Sequence, residues 1–163
     1  MPPIQSGLEK FIENPPPGLE SRRLGLLCNP ASIDRRFHHA KDLIQQRFPG
    51  RLTAIFSPQH GFYSEKQDNM VESEDVRDPD TGLIVYSLYG KTRVPKAAMF
   101  DPIDNLLIDL QDAGTRVYTF ATTVSYCLEK ARKMDKPVII LDRPNPVNGI
   151  QMEGNRLKRP FAS

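Results

Sequence analysis

The chain has 163 residues, 39% hydrophobic and 26% charged, with a net charge of +2 from 22 Lys plus Arg against 20 Asp plus Glu. That length suits about one domain, and the composition excludes a disordered, collagen-like or membrane-embedded chain. No apolar run nears the ~18 residues of a spanning helix, and the near-even charge lacks the basic stripe of a nucleic-acid binder, so neither membrane nor nucleic acid is an expected partner.

The first ten residues hold no basic region followed by an apolar one, so the chain as it stands shows no secretory signal and a cytoplasmic location is expected. Leu8, Phe11 and Ile12 have helical spacing and predict a short amphipathic helix, stopped by Pro15, Pro16, Pro17 and Gly18. LGLLC (24–28) is almost wholly apolar and reads as a strand buried on both faces. Ala40, Leu43, Ile44 and Phe48 then predict a second helix, LTAIF (52–56) a second strand and LIVYSL (83–88) a third. LLIDL (106–110) is a fourth. Val117, Phe120, Ala121, Val124, Leu128 and Ala131 form the clearest amphipathic stripe, on a helix expected to start near Thr115. PVIIL (137–141) is a fifth strand. This alternation predicts an α/β fold, a Rossmann-like open, mostly parallel sheet with flanking helices. Cys28 and Cys127 lie in apolar stretches and read as small buried hydrophobes. With no CxxC or His/Cys cluster, no metal site is expected.

In open α/β sheets, ligands bind outside the carboxyl ends of the strands. Five polar segments follow the five strands: Asn29-Pro30, SPQHGF (57–62), Tyr89-Gly90, QDAGTRVY (111–118) and DRPNPVNG (142–149). They are expected to converge on one rim, with Asn29 and Tyr89 among the substrate contacts. His60 is either a general acid or base near neutral pH or a hydrogen-bonded core residue. Glu65, Asp68, Glu72, Glu74, Asp75, Asp78 and Asp80 read mainly as a solvated loop, with one or two available as the carboxyl groups of glycoside hydrolysis. That loop has no clear periodicity, and loops of its length inside domains are usually functional or disordered. Arg116 and Tyr118 can face a ligand at the start of the long helix, where exposed N–H groups and the dipole favour an anion. Asp112 or Thr115 can instead cap that helix. Asp142, Arg143 and Asn145 are stiffened by Pro144 and Pro146, and either meet the ligand or lock the turn through an Asp–Arg pair. GxGxxG, GxxxxGK[ST] and GxSxG are all absent, which leaves NAD, P-loop and α/β-hydrolase chemistry unsupported.

LGLLCNPASID, IFSPQHGF, DPDTGLIVYSLYGKTRVP, LLIDLQDAGTRVYTF and IILDRPNPVNG occur in that order. Together they resemble the NamZ-type exo-β-N-acetylmuramidases, long known as a domain of unknown function. The resemblance runs from about residue 20 to the end. It implies a Rossmann-like N-terminal domain, a smaller C-terminal domain, and release of N-acetylmuramic acid from the non-reducing ends of peptidoglycan fragments. The chain then divides into an N-terminal helix and Pro-rich linker (1–20), a catalytic α/β domain (21–150) and the start of a connection (151–163) to a C-terminal domain it lacks. The partners implied are a muramyl sugar or muropeptide and that missing domain; no cofactor or metal is implied.

By motif position, Gln59, His60, Glu65, Asp112, Arg116, Tyr118, Asp142, Arg143 and Asn145 would line the cleft. Many family members carry Glu where this chain has Gln59, and usually Gly where it has Ser64. An amide cannot exchange a proton as a carboxyl group can, so Glu65 is the preferred acid/base and His60 its tuning or orienting neighbour. Arg116 suits the lactyl carboxylate of muramic acid, because a guanidinium fork matches a carboxylate. The rival readings are a muropeptide-binding module without catalysis, and a nucleotide- or phosphosugar-binding domain using the helix N-terminus near Thr115.

Overall fold

The computed structural model of the chain describes residues 4–63, 72–90, 93–115, 117–156 and 158–159. The elements in chain order are α1 (Gly7–Glu13), β1 (Leu24–Cys28), α2 (Ala40–Arg47), β2 (Leu52–Ser57), β3 (Val76–Arg77), β4 (Ile84–Ser87), β5 (Asn105–Asp109), α3 (Phe120–Lys133) and β6 (Val138–Ile140). Short 3-10 turns at Leu19–Ser21 and Ala97–Met99 complete the set. The strands form one sheet in the order β3-β4-β2-β1-β5-β6. Every pairing is parallel except the edge pair β3–β4.

Period-two alternation places the helices. On β1, Leu24, Leu26 and Cys28 face one side and join Leu8, Phe11, Ala40, Ile44 and Phe48 of the α1/α2 layer. Leu27 faces the other side, with Ala54 and Phe56 of β2, Leu106 and Ile108 of β5, and Cys127 and Ala131 of α3. All five residues of β1 and of β5 are buried, as strands covered on both faces must be. Cys28 and Cys127 are free and buried, and burial pushes the Cys127 thiol up to about 12. Arg23 and Asp104 set the entry to β1 and β5: the Arg23 guanidinium reaches Asp104 at 2.7 Å and its backbone N–H at 2.9 Å. These bonds hold the Asp104 carboxyl down at about 2.

Two elements differ from the expectation. The long helix begins at Phe120, not near Thr115. Gly114 has φ +68° and Tyr118 N–H closes a separate turn on the Thr115 carbonyl, so the chain turns again before the helix starts. Val117 has the right spacing for the stripe but is 84% exposed. Thr119 stands at the N-cap without a side-chain cap bond, so neither Asp112 nor Thr115 caps α3. The loop between the second and third predicted strands also contains β3, whose two residues are too few to show a period.

Among the described residues, the expected solvated acidic loop has one clear exception; Glu65 and Asp68 lie outside them. Asp78 is fully buried. It accepts bonds from Lys41 Nζ at 3.1 Å, Tyr63 Oη at 2.7 Å and the Thr81 backbone N–H at 3.1 Å. Burial pushes its carboxyl up, but Thr81, Tyr63 and Lys41 together hold it below the usual carboxylate range. Lys41 is buried too; burial disfavours its charge, yet Asp78 with Asp42 and Asp80 holds its pKa above the ordinary lysine value. The pair ties α2 to the β3–β4 turn. Replacing Asp78 by Ala leaves the buried ammonium only the exposed carboxylates of Asp42 and Asp80, at 3.8 and 3.4 Å, and should cost about 3 kcal/mol in urea unfolding at neutral pH. Because the folded carboxyl titrates below its unfolded value, the native pair stabilises above that range and loses its effect as pH falls through the folded value. The Asp78→Ala variant should therefore show a flatter acid limb than the parent chain.

Candidate functional site

Parallel pairing brings the carboxyl ends of β1, β2, β4, β5 and β6 to one edge of the sheet. At the β1, β5 and β6 ends the loops are cross-linked. Arg143, just past β6, pairs with fully buried Asp109 at the end of β5 through Nε and, at 2.8 Å, Nη2. The same Nη2 donates to the Ile33 carbonyl in the loop after β1 at 3.0 Å. Ser32 Oγ donates to the Asp109 carbonyl at 2.5 Å. Burial raises the Asp109 carboxyl above the usual range, against the opposing pull of Arg143.

Above this anchor, Asn145 Nδ2 donates to Asp112 Oδ2 at 3.2 Å, and Gln111 Nε2 donates to the Pro144 carbonyl at 3.0 Å. Asp112 Oδ1 also accepts the Gly114 N–H at 3.2 Å. The positive φ of Gly114 favours glycine here, and a Cβ would also displace the Val147 side chain, whose Cγ2 would lie 2.3 Å away. Asp112, Asp142 and Asn145 are exposed. Asn29 is half-buried and turned toward its own loop, where its Oδ1 accepts the Ala31 N–H at 3.2 Å. Its carbonyl lies 3.0 Å from His39 Nε2. His39 Nδ1 accepts the Lys41 N–H, so Nε2 carries the proton and donates to Asn29.

The β2 end forms a second group. Gln59 Oε1 accepts the Thr119 hydroxyl at 2.8 Å, which ties this loop to the start of α3. His60 is half-buried with φ +81°, and Gly61 follows at +79°. A β-carbon in that region costs energy, and such residues cluster at functional sites. Beside them a cavity of about 140 Å³ is lined by Ser57, Ser73, Glu74 and Ser87 with Phe62, Val76 and Val85. Tyr118 is half-buried against Phe120, ring centroids 4.5 Å apart, and burial, then Asp112, raises its phenol above the ordinary value. Tyr89 is buried; its hydroxyl accepts from Arg93 at 3.2 Å and its ring lies under that guanidinium. Glu65 and Arg116 lie outside the described residues.

The arrangement thus joins Asp112 to Asn145 and Gln59 to Thr119 and anchors Arg143 on Asp109, while Asn29 and Tyr89 bond to residues outside the candidate set. Sequence reasoning missed Asp109, Ser32 and Thr119 as members of the rim. For Asp109 a signal existed: it is the one charged residue in the apolar run LLIDL. Among the described residues no group of three or more His, Cys, Asp or Glu could hold a metal ion, and no helix is long and apolar enough to cross a membrane.

The family model described as Exo-beta-N-acetylmuramidase NamZ, N-terminal, matches residues 24–163. The chain belongs to the NamZ family. A curated relative from Bacillus subtilis (strain 168), named Peptidoglycan beta-N-acetylmuramidase NamZ, is 37% identical over 162 residues, covering 99% of this chain and 39% of the relative. Two DUF1343 family proteins of known structure from Bacteroides fragilis NCTC 9343 share the fold. One has a TM-score of 0.83 at 36% identity, over 98% of this chain and 39% of that one. The other has 0.74 at 29%, over 98% and 40%. The chain therefore spans about two fifths of the length of these NamZ-type relatives.

Two outcomes test the site's energetics. His60→Gly should be more stable than His60→Ala by about 1 kcal/mol, because both lose the imidazole and only glycine escapes the positive-φ cost; the difference is read as a higher urea midpoint at constant slope. Equal midpoints would mean that the turn carries no such cost. Arg143→Met removes the main opposition to burial at Asp109, so its carboxyl should move further up. A folded pKa above the unfolded one stabilises at low pH and is lost as pH rises through the folded value. Urea midpoints of this variant should fall, relative to the parent, from acid toward neutral pH.

Proposed function

We propose that this chain forms the substrate-binding and hydrolytic rim of an exo-β-N-acetylmuramidase, releasing N-acetylmuramic acid from the non-reducing ends of peptidoglycan fragments during cell-wall turnover. The observation that carries this reading is the family match over residues 24–163, which spans all five strand-end segments of the rim. The activity named for the Bacillus subtilis relative supports the substrate class.

In this reading Glu65 is the general acid/base and Arg116 meets the lactyl carboxylate. His60 orients the reacting group from its strained turn, and Asp112 with Asn145 offers paired hydrogen-bonding groups to sugar hydroxyls. The cavity at the β2 and β4 ends sets serine hydroxyls beside Phe62 and Val85. Such a mixed wall suits an N-acetyl substituent, whose amide is polar and whose methyl is not. Gln59, with its oxygen engaged by Thr119, keeps its NH₂ as a donor and has no proton to exchange.

That last observation also favours a second reading, a muropeptide-binding module without turnover. A chromogenic β-N-acetylmuraminide, assayed beside the matched N-acetylglucosaminide, separates the two. Hydrolysis selective for the muramyl substrate, cut about 10²-fold or more by Glu65→Gln, is the expected result. Saturable binding of N-acetylmuramic acid without turnover would establish the binding module instead. Neither binding nor turnover would overturn both readings.

A further inference from the structure

The N-terminal helix lies outside the family match, which begins at Leu24, yet it touches the rim directly. Gly7, the first residue of α1, donates its N–H to the Asp142 carbonyl at 2.6 Å. A Cβ on Gly7 would stand 2.2 Å from Asp142 N and 2.5 Å from the Leu141 carbonyl carbon. Both are backbone atoms that cannot swing aside as a side chain can. Only a glycine lets the two backbones approach this closely.

The helix is itself fixed on three sides. Ser6 and Glu9 form a reciprocal capping box at its start. Leu8 and Phe11 are buried, and the Phe11 ring packs 5.7 Å from that of Phe48. Glu9 Oε1 also pairs with Arg35 at 3.4 Å and accepts the Arg35 N–H. Arg35 belongs to the loop after β1, and that loop supplies the Ile33 carbonyl to Arg143. The helix therefore reaches the segment after β6 by two routes: backbone to backbone at Asp142, and through Glu9, the β1 loop and Ile33 to Arg143.

We propose that α1 positions the rim, with Gly7 as the positioning residue that sets the backbone of Asp142 and thereby the place of Arg143 and Asn145. The effect on ligand binding rests on the reading of this rim as a muramyl site; the positioning itself does not. The test compares Gly7→Ala with Phe11→Leu, which loosens the same helix without touching Asp142. In the ¹⁵N-labelled chain, Gly7→Ala should shift the amide resonances of 141–148 and of Gly114, and leave those of β2 in place. N-acetylmuramic acid should bind about tenfold more weakly, since small displacements of positioning groups are costly. Phe11→Leu should lower the melting temperature and move neither the rim amides nor the affinity. Rim amides that stay still in Gly7→Ala, or that move equally in Phe11→Leu, overturn the proposal. If the parent chain does not bind N-acetylmuramic acid, the muramyl reading fails and the amide comparison still decides the positioning role. If Gly7→Ala does not fold, Glu9→Gln probes the second route: the Ile33 and Arg143 amides should move, and their constancy overturns the proposal.

Discussion

At the rim, the Asp109 carboxylate and the Arg143 guanidinium leave water together. Asp109 has no exposed surface and the Arg143 side chain keeps 11% of its own. Withdrawing two charges from water costs several kcal/mol per ion, and attraction repays it only when the remaining donors and acceptors are also satisfied. Here Arg143 Nη2 also donates to the Ile33 carbonyl, and Ser32 fixes the backbone of Asp109 through its carbonyl. Such a pair adds little net stability over an apolar substitute, but it tolerates only one geometry. It locks the ends of β1, β5 and β6 in register, and Asp112, Gly114 and Asn145 sit on the platform it makes. It adds to the strand pairing a shared anchor for three loops from separate parts of the chain.

The sheet supplies the edge on which this lock can form. Alternation along β1, β2 and β5 sends one set of side chains to α1 and α2 and the other to α3. Parallel strands covered on both faces must send their connections across the faces, so the strand ends gather at a single edge. The buried Lys41–Asp78 pair does at the β3–β4 side what Asp109–Arg143 does at the other: it holds a polar loop against a helix at a defined distance. Both pairs join a helix or loop to a segment distant in sequence.

The chemistry of the rim divides along the same lines. On one side, paired polar side chains are held by a rigid anchor, which suits recognition of a hydroxylated ligand. On the other, a strained histidine follows Gln59, whose oxygen is committed to Thr119. Strain of this kind persists only where the surrounding structure over-determines the conformation. The Gln59–Thr119 bond is one such constraint, since it pins the residue before the strained one to the start of α3.

The sequence by itself determined the layers. Each predicted strand is present within one or two residues, because a short apolar run between polar turns pairs its backbone in a sheet; the central β1 and β5 are buried throughout, while the edge strand β6 leaves Ile140 exposed. The order of five motifs sufficed to place the family. The start of α3 was not legible, because Val117 repeats the helical spacing while the turns at Gly114 and Thr115–Tyr118 break it. Nor was the difference between Asp78 and its acidic neighbours legible. A carboxylate's burial depends on whether a cation, here Lys41 from another element, arrives to meet it. The same holds for Arg143. Its motif left both a ligand contact and a locked turn open. Its guanidinium meets Asp109, 34 residues away in sequence. Periodicity is a local property and can be read along the chain; the partner of a buried charge is a property of the folded space, and only the tertiary structure decides it.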